Sequence, residues 1–273
     1  MKGAHMRLNF FIILLTLSLG ACSSMGHKYH HKTDVTQEVV NYSTTNTELQ
    51  GVLFKPENKV SKGGILVVHE WYGLNAYAKK RAEKLAKMGY TTFAVDMYGK
   101  GKLAKHPKTA KKFMQASLKD PKELKRKFEA AIKVITHQGG VDKNKIVSIG
   151  YCFGGGISLN MARAGFDLLG VASFHGSLRT DNPVKKGDIK GKVLVANGGA
   201  DPMVPAKDVT AFVKEMHEAE VDFKFLNFKG VQHSFTVKGA DKKGEKYGLP
   251  MAYNKRADKQ SWHALIMFLT DVF

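Results

Sequence analysis

The sequence predicts an α/β fold, with a mainly parallel central sheet and helices on both faces. Three observations predict it. Short, continuous apolar runs such as Gly64 to His69 suit strands that are buried on both faces. Segments between them show helical spacing, as at Ala78, Ala82, Leu85 and Ala86, with Gly89 as a stop. Strands and helices alternate along most of the chain, which places successive strands parallel and the connecting helices outside them.

In chain order, Val35 to Ser43 and Glu48 to Phe54 read as a hairpin or paired edge strands. Gly64 to His69 is the first core strand, Ala76 to Met88 a helix, and Thr91 to Val95 a strand ending in Asp96. A basic segment follows, then helical spacing over Glu123 to Ile135. Lys145 to Ile149 is a buried strand. Val171 to Phe174, Val193 to Ala196 and Phe223 to Phe228 complete the strand series, with a helix over Ala206 to His217. The last helix, Ala252 to Leu269, repeats apolar residues at Trp262, Leu265, Ile266 and Leu269.

The N-terminus has a different character. Lys2 and Arg7 precede an apolar run from Leu8 to Leu19, and small residues lead to Cys22. This order is that of a secretory signal. The run holds about a dozen residues against roughly 20 needed to cross a bilayer, so no permanent membrane span is expected. Leu19-Gly20-Ala21-Cys22 resembles the lipobox of bacterial lipoproteins. The resemblance implies a leader at 1–21, a lipidated Cys22, a flexible tether over 22–34 and a domain at 35–273. It also implies a periplasm-facing envelope protein, with Ser23 favouring the outer over the inner membrane. An ordinary signal peptide with an incidental cysteine is the alternative. His27, His30 and His31 lie in the tether and read as solvated linker residues or a loose metal-binding tract.

The chain holds 43 Lys and Arg against 24 Asp and Glu, a formal net charge of +19. The lysines are dispersed, which suits solvated helix faces; a patch for anionic lipid or an acidic polymer is the alternative. No nucleic-acid motif occurs, and no nucleic-acid partner is expected.

Only two cysteines occur. The second lies in Gly150-Tyr151-Cys152-Phe153-Gly154, between a buried strand and an expected helix. Glycines there permit the sharp turn that exposes a nucleophile above a sheet. The helix N-terminus favours a thiolate and a developing oxyanion. A glycine-rich structural turn around a buried cysteine is the alternative. Gly199-Ala200-Asp201-Pro202 delivers a carboxylate after one strand, and Val231-Gln232-His233-Ser234-Phe235 delivers an imidazole after the next. Singly, Asp201 suits a turn and His233 a surface position. Together, the order nucleophile, acid, base is that of the α/β-hydrolases. His233 is then the proton acceptor and Asp201 the group that fixes its tautomer.

Six motifs carry a closer resemblance. They are His69-Glu70-Trp71-Tyr72-Gly73, Asp96-Met97-Tyr98-Gly99, Gly150-Tyr151-Cys152-Phe153-Gly154-Gly155, Ser173-Phe174-His175-Gly176, Gly199-Ala200-Asp201-Pro202 and His233-Ser234-Phe235. From about Val39 to Phe273 the chain resembles the dienelactone hydrolase family. The resemblance implies an α/β-hydrolase fold and a Cys152, Asp201 and His233 triad. It implies that the Glu70 carboxylate contacts the resting thiol and moves when substrate binds, and that the Trp71 and Phe153 N–H groups form the oxyanion hole. The implied reaction is hydrolysis of an ester or lactone through a thioester acyl-enzyme, on a small-molecule substrate, with no metal or organic cofactor.

Family members that act on dienelactone hold its carboxylate with two arginines, where this chain has Gly99-Lys100 and Val237-Lys238. Lysine lacks the planar bidentate fork, so dienelactone itself is not the expected substrate. Lys100, Tyr98 and His175 are the substrate-binding candidates, with a structural histidine as the alternative at 175. Three other readings stay open: a thiol redox role for Cys152, a tethered ligand- or partner-binding lipoprotein without catalysis, and a serine-type esterase chemistry in which sulfur has no special part. Neither the natural substrate nor the oligomeric state is legible.

Overall fold

The computed structural model describes residues 34–273. The leader at 1–21, Cys22 and the tether up to residue 33 lie outside the described residues.

The chain begins with an antiparallel pair, β1 (Val35–Ser43) and β2 (Glu48–Pro56). β3 (Gly64–Val68), α1 (Ala76–Ala86) and β4 (Thr91–Val95) follow, then the consecutive helices α2 (Pro107–Lys119) and α3 (Pro121–His137). β5 (Ile146–Tyr151), α4 (Phe153–Arg163), β6 (Gly170–Phe174), β7 (Lys192–Gly198), α5 (Ala206–Glu218) and β8 (Phe223–Phe228) continue the alternation. The helices α6 (Ala240–Tyr247) and α7 (Lys255–Val272) close the chain. The eight strands form one sheet in the order β1-β2-β4-β3-β5-β6-β7-β8. β2 pairs antiparallel with β4, and every pairing from β4 through β8 is parallel.

The pleat divides the core between the two faces. On β3, Leu66 and Val68 face one layer while Ile65 and Val67 face the other. The first layer takes Leu124, Phe128 and Ile135 of α3, Ile157 and Met161 of α4, and Phe212 and Met216 of α5. The second takes Ala78, Ala82 and Leu85 of α1 with Ala257, Leu265 and Leu269 of α7. Both sides of the sheet are thus sealed, as continuous apolar strands require, and each large side chain buried there is worth roughly 1.5–3 kcal/mol.

Three helices depart from the sequence expectation. α2 occupies part of the basic segment; it starts on Pro107, and the His106 ring, not one of the usual Ser, Thr, Asp or Asn caps, accepts from the Lys108 N–H. α6 is eight residues long and buries only Ala240 and Gly244. The last helix begins at Lys255 rather than Ala252, because the Asn254 side chain caps it by accepting from the Ala257 N–H.

Candidate active site

The site is built at the carboxyl ends of the parallel strands. β5 stops at Tyr151 and α4 starts at Phe153, leaving Cys152 alone between them at φ 54°, ψ −116°. A cysteine does not adopt that conformation without support. The support is local. The Cys152 N–H donates to Phe174 O at 2.9 Å, anchoring the turn on β6. A Cβ at Gly150 would stand 1.9 Å from Gly154 O, and one at Gly154 would stand 2.3 Å from Val68 O. Glycine at both positions is what lets α4 sit directly over β3 and β5.

Asp201 follows β7 and His233 follows β8. His233 Nδ1 lies 2.6 Å from Asp201 Oδ2, and its Nε2 lies 3.1 Å from Cys152 Sγ. The second Asp201 oxygen accepts from the Met203 N–H at 2.8 Å, which fixes the carboxylate plane. The loop carrying His233 is tied to the stretch leading into α7 by Ala252 N–H to His233 O at 3.1 Å. Asp201 and His233 are buried and Cys152 is half-buried, so Cys152 is the most exposed member of the trio.

Burial alone disfavours a charged His233. The neighbouring Cys152 and the Asp201 carboxylate outweigh it and push the imidazole up to about 10. The ring therefore favours keeping its proton.

The other expected residues fall into place unevenly. Glu70 is buried at the end of β3, and burial raises its carboxyl. Its partner is Ser234, whose hydroxyl donates to Glu70 Oε1 at 3.4 Å, while Cys152 is engaged with His233. Trp71 follows Glu70 after β3 and Phe153 follows Cys152 at the start of α4, and neither N–H has a backbone acceptor among the described residues. Tyr98 is buried; its hydroxyl donates to Trp71 O at 3.1 Å and its ring packs 5.2 Å from that of Phe153, so it braces both of these residues. The Lys100 side chain is exposed, and its N–H bonds Glu48 O on β2. His175 is fully buried behind the His233 ring, with ring centroids 5.2 Å apart, and does not face the open side of the site.

Several neighbours escape sequence reasoning. Ser234 adopts φ 54° and holds Glu70. Lys243 of α6 sits 4.3 Å over the Tyr72 ring, bringing a cation beside the loop that follows β3. Thr236 bonds His175. Only Ser234 carried a local signal, through its place beside His233. Among the described residues no group of three His, Cys, Asp or Glu is arranged to hold a metal, and no helix is long and apolar enough to cross a membrane.

Comparison with known proteins identifies the family. The model of the dienelactone hydrolase family matches residues 49–273. A solved dienelactone hydrolase-like promiscuous phosphotriesterase from metagenomic libraries is 32% identical, with a TM-score of 0.79 over 88% of this chain and 99% of its own. A Bradyrhizobium protein named "Probable 2-oxo-3-(5-oxofuran-2-ylidene)propanoate lactonase" is 22% identical over 86% of this chain and 94% of its own length. A Caenorhabditis elegans protein, K02A2.1, is 34% identical over 55% of this chain and 95% of its own length.

Proposed function

The chain belongs to the dienelactone hydrolase family and is an ester or lactone hydrolase; from that premise we propose that it works through Cys152, His233 and Asp201 by way of a thioester. The observation that carries the proposal is the 3.1 Å contact of His233 Nε2 with Cys152 Sγ, with Asp201 2.6 Å behind the same ring.

The Cys152 thiolate attacks the substrate carbonyl carbon, and the carbonyl oxygen takes the negative charge between the Trp71 and Phe153 N–H groups. Collapse breaks the carbon–oxygen ester bond, and the Nε2 proton of His233 goes to the departing alkoxide. Acylation also removes the negative sulfur, which is the largest of the influences raising His233. The imidazole therefore sheds its proton at the moment a leaving group needs one. Neutral His233 then takes a proton from water, the hydroxide attacks the thioester, and the thiolate leaves. The sum is one ester and one water converted to an acid and an alcohol. Glu70 holds the thiol in the resting enzyme; the Ser234-bound arrangement leaves Cys152 to His233 and is the one poised for attack. Thiolates expel good leaving groups more readily than poor ones, so enol esters and lactones suit this site better than amides.

A Cys152 paired in this way favours hydrolysis over a redox cycle, and it is the sole free cysteine among the described residues. Phosphotriesters form a second substrate class to assay, because the structural relative named for that activity matches nearly this whole chain. The leader belongs to the same proposal: Cys22 carries lipid and holds the enzyme on the periplasmic side of the envelope, at the outer membrane in preference to the inner.

The test of the mechanism is turnover of p-nitrophenyl acetate and simple enol lactones, with mass spectrometry of the stalled enzyme. An acyl group on Cys152, and loss of turnover by about 10³-fold or more in Cys152→Ala, is the expected result. Equal rates in both proteins reject it. Radiolabelled palmitate on the native chain and not on Cys22→Ala is the expected result for the anchor.

A further inference from the structure

Behind His233 runs a buried chain of hydrogen bonds that the hydrolysis above does not use. It starts at Arg81 on α1, whose guanidinium donates to Asp258 Oδ1 at 2.7 Å and to Thr236 O at 2.8 Å. The rings of Tyr77, Tyr151 and Trp262 surround that guanidinium at 5.2, 5.4 and 5.3 Å. Arg81 Nε–H donates to the Tyr77 hydroxyl at 3.1 Å; that hydroxyl lies 2.6 Å from Thr236 Oγ1; and Thr236 Oγ1 lies 2.8 Å from His175 Nε2.

The direction of this chain follows from its first link. A guanidinium only donates, so the Tyr77 oxygen accepts and its own proton is free to go to Thr236. Thr236 then gives its proton to His175 Nε2, which must be the bare nitrogen. The reverse direction would strand both the Tyr77 proton and the His175 Nδ1 lone pair in the protein interior. His175 Nδ1 is buried without a partner in either case, and the forward direction strands that group alone, as its Nδ1–H. Fewer orphaned buried groups is the cheaper arrangement. His175 is accordingly neutral, as its complete burial beside a charged His233 and Arg81 also requires.

A ring held in this way is a fixed wall. His175 stands edge-on to His233 at an interplanar angle of 69°, and edge-on to Phe235 at 81°. It blocks rotation of the His233 ring away from the line joining Asp201 to Cys152. We propose that His175 is a positioning residue for His233, locked as its Nδ1–H tautomer by the Arg81–Tyr77–Thr236 chain. This rests on His233 being the proton-transfer group of the proposed mechanism.

The test uses the full chain with Thr236→Val, which keeps shape and removes the bridging hydroxyl, and Thr236→Ser, which restores the hydroxyl. With p-nitrophenyl acetate, Thr236→Val is expected to lower kcat by about 10-fold while KM stays within about twofold, as for a misaligned catalytic group; Thr236→Ser stays near native. Nitrogen-15 NMR of the native imidazoles is expected to show His175 as an Nδ1–H tautomer. Native kcat in Thr236→Val, equal loss in both variants, or an Nε2–H signal at His175 overturns the proposal. Should Thr236→Val fail to fold, Tyr77→Phe removes the next proton along the chain and is expected to lower kcat with KM unchanged; native kcat there overturns it. Cys152→Ala run alongside separates the two readings: activity surviving in that variant defeats the mechanism, whereas its loss beside a fully active Thr236→Val defeats only the positioning role.

Discussion

His233 draws its proton affinity from two neighbours, and in the proposed mechanism their unequal fates during turnover set the pH behaviour. The ring is raised from its ordinary value near 6.5 to about 10, with burial opposing and the Cys152 and Asp201 charges prevailing. A group raised in the folded state lends stability in full below its unfolded pKa and loses it as pH climbs through the folded one. The contribution of this pair is therefore complete below about pH 6.5 and gone above about pH 10. In the proposed mechanism the same proton serves the leaving group. Acylation by alkyl esters or lactones is expected to fall above about pH 10, whereas the acylation burst with a p-nitrophenyl ester, whose phenolate needs no proton, is expected to persist; stopped-flow rates across pH 7 to 11 check this. Asp201→Asn, which disturbs the tautomer while keeping the shape, is expected to cost roughly 10⁴-fold in kcat with an unchanged circular dichroism spectrum.

Packing of α4 decides where the sulfur stands. Gly150→Ala or Gly154→Ala would drive a methyl into backbone atoms that have nowhere to move. Each is expected to cost about 1–3 kcal/mol or more, read as roughly 2–4 °C of Tm per kcal/mol for a chain of this size, and to abolish turnover by displacing Cys152. At its far end α4 is joined to α5 by Arg163 and Glu215, paired at 2.6 Å with side chains only 6% and 3% exposed. Arg163 also donates to Leu178 O. Glu215→Gln leaves a buried guanidinium without its counter-charge and is expected to destabilise by about 3–5 kcal/mol in urea titrations, with kcat retained in the protein that remains folded. Element by element, the sequence declares whatever buries apolar surface. The central strands were legible because both faces are covered, and the Cys152, Asp201 and His233 cluster could be anticipated because each residue lies just past the end of a strand. α2 and α6 were not, since lysines dominate them and few of their side chains enter the core. Nor was the Arg81 chain: its links join residues 155 and 177 positions apart, and nothing in a local pattern encodes which distant loops will meet.

A formal charge of +19 on one chain means self-repulsion, which folding intensifies by drawing the lysines together. Several ion pairs, including Lys186–Glu220 and Lys192–Asp222, are exposed and individually worth little. Screening should therefore help more than it harms: raising NaCl from about 10 to about 200 mM is expected to lift Tm by about 2–4 °C, and a fall would point to ion pairs as the stronger influence. The charge cloud surrounds a site gathered from loops that leave β3, β5, β7 and β8, so its four key side chains span residues 70 to 233. No local segment holds two of the triad members. Until β5, β6, β7 and β8 have come together, Cys152 has no imidazole beside it. Hydrolytic competence is thus the last property the molecule acquires on its way to the native state. During refolding, esterase activity should lag behind the recovery of secondary structure, and an emerging chain that has not yet reached Val231 carries no activated sulfur to misfire.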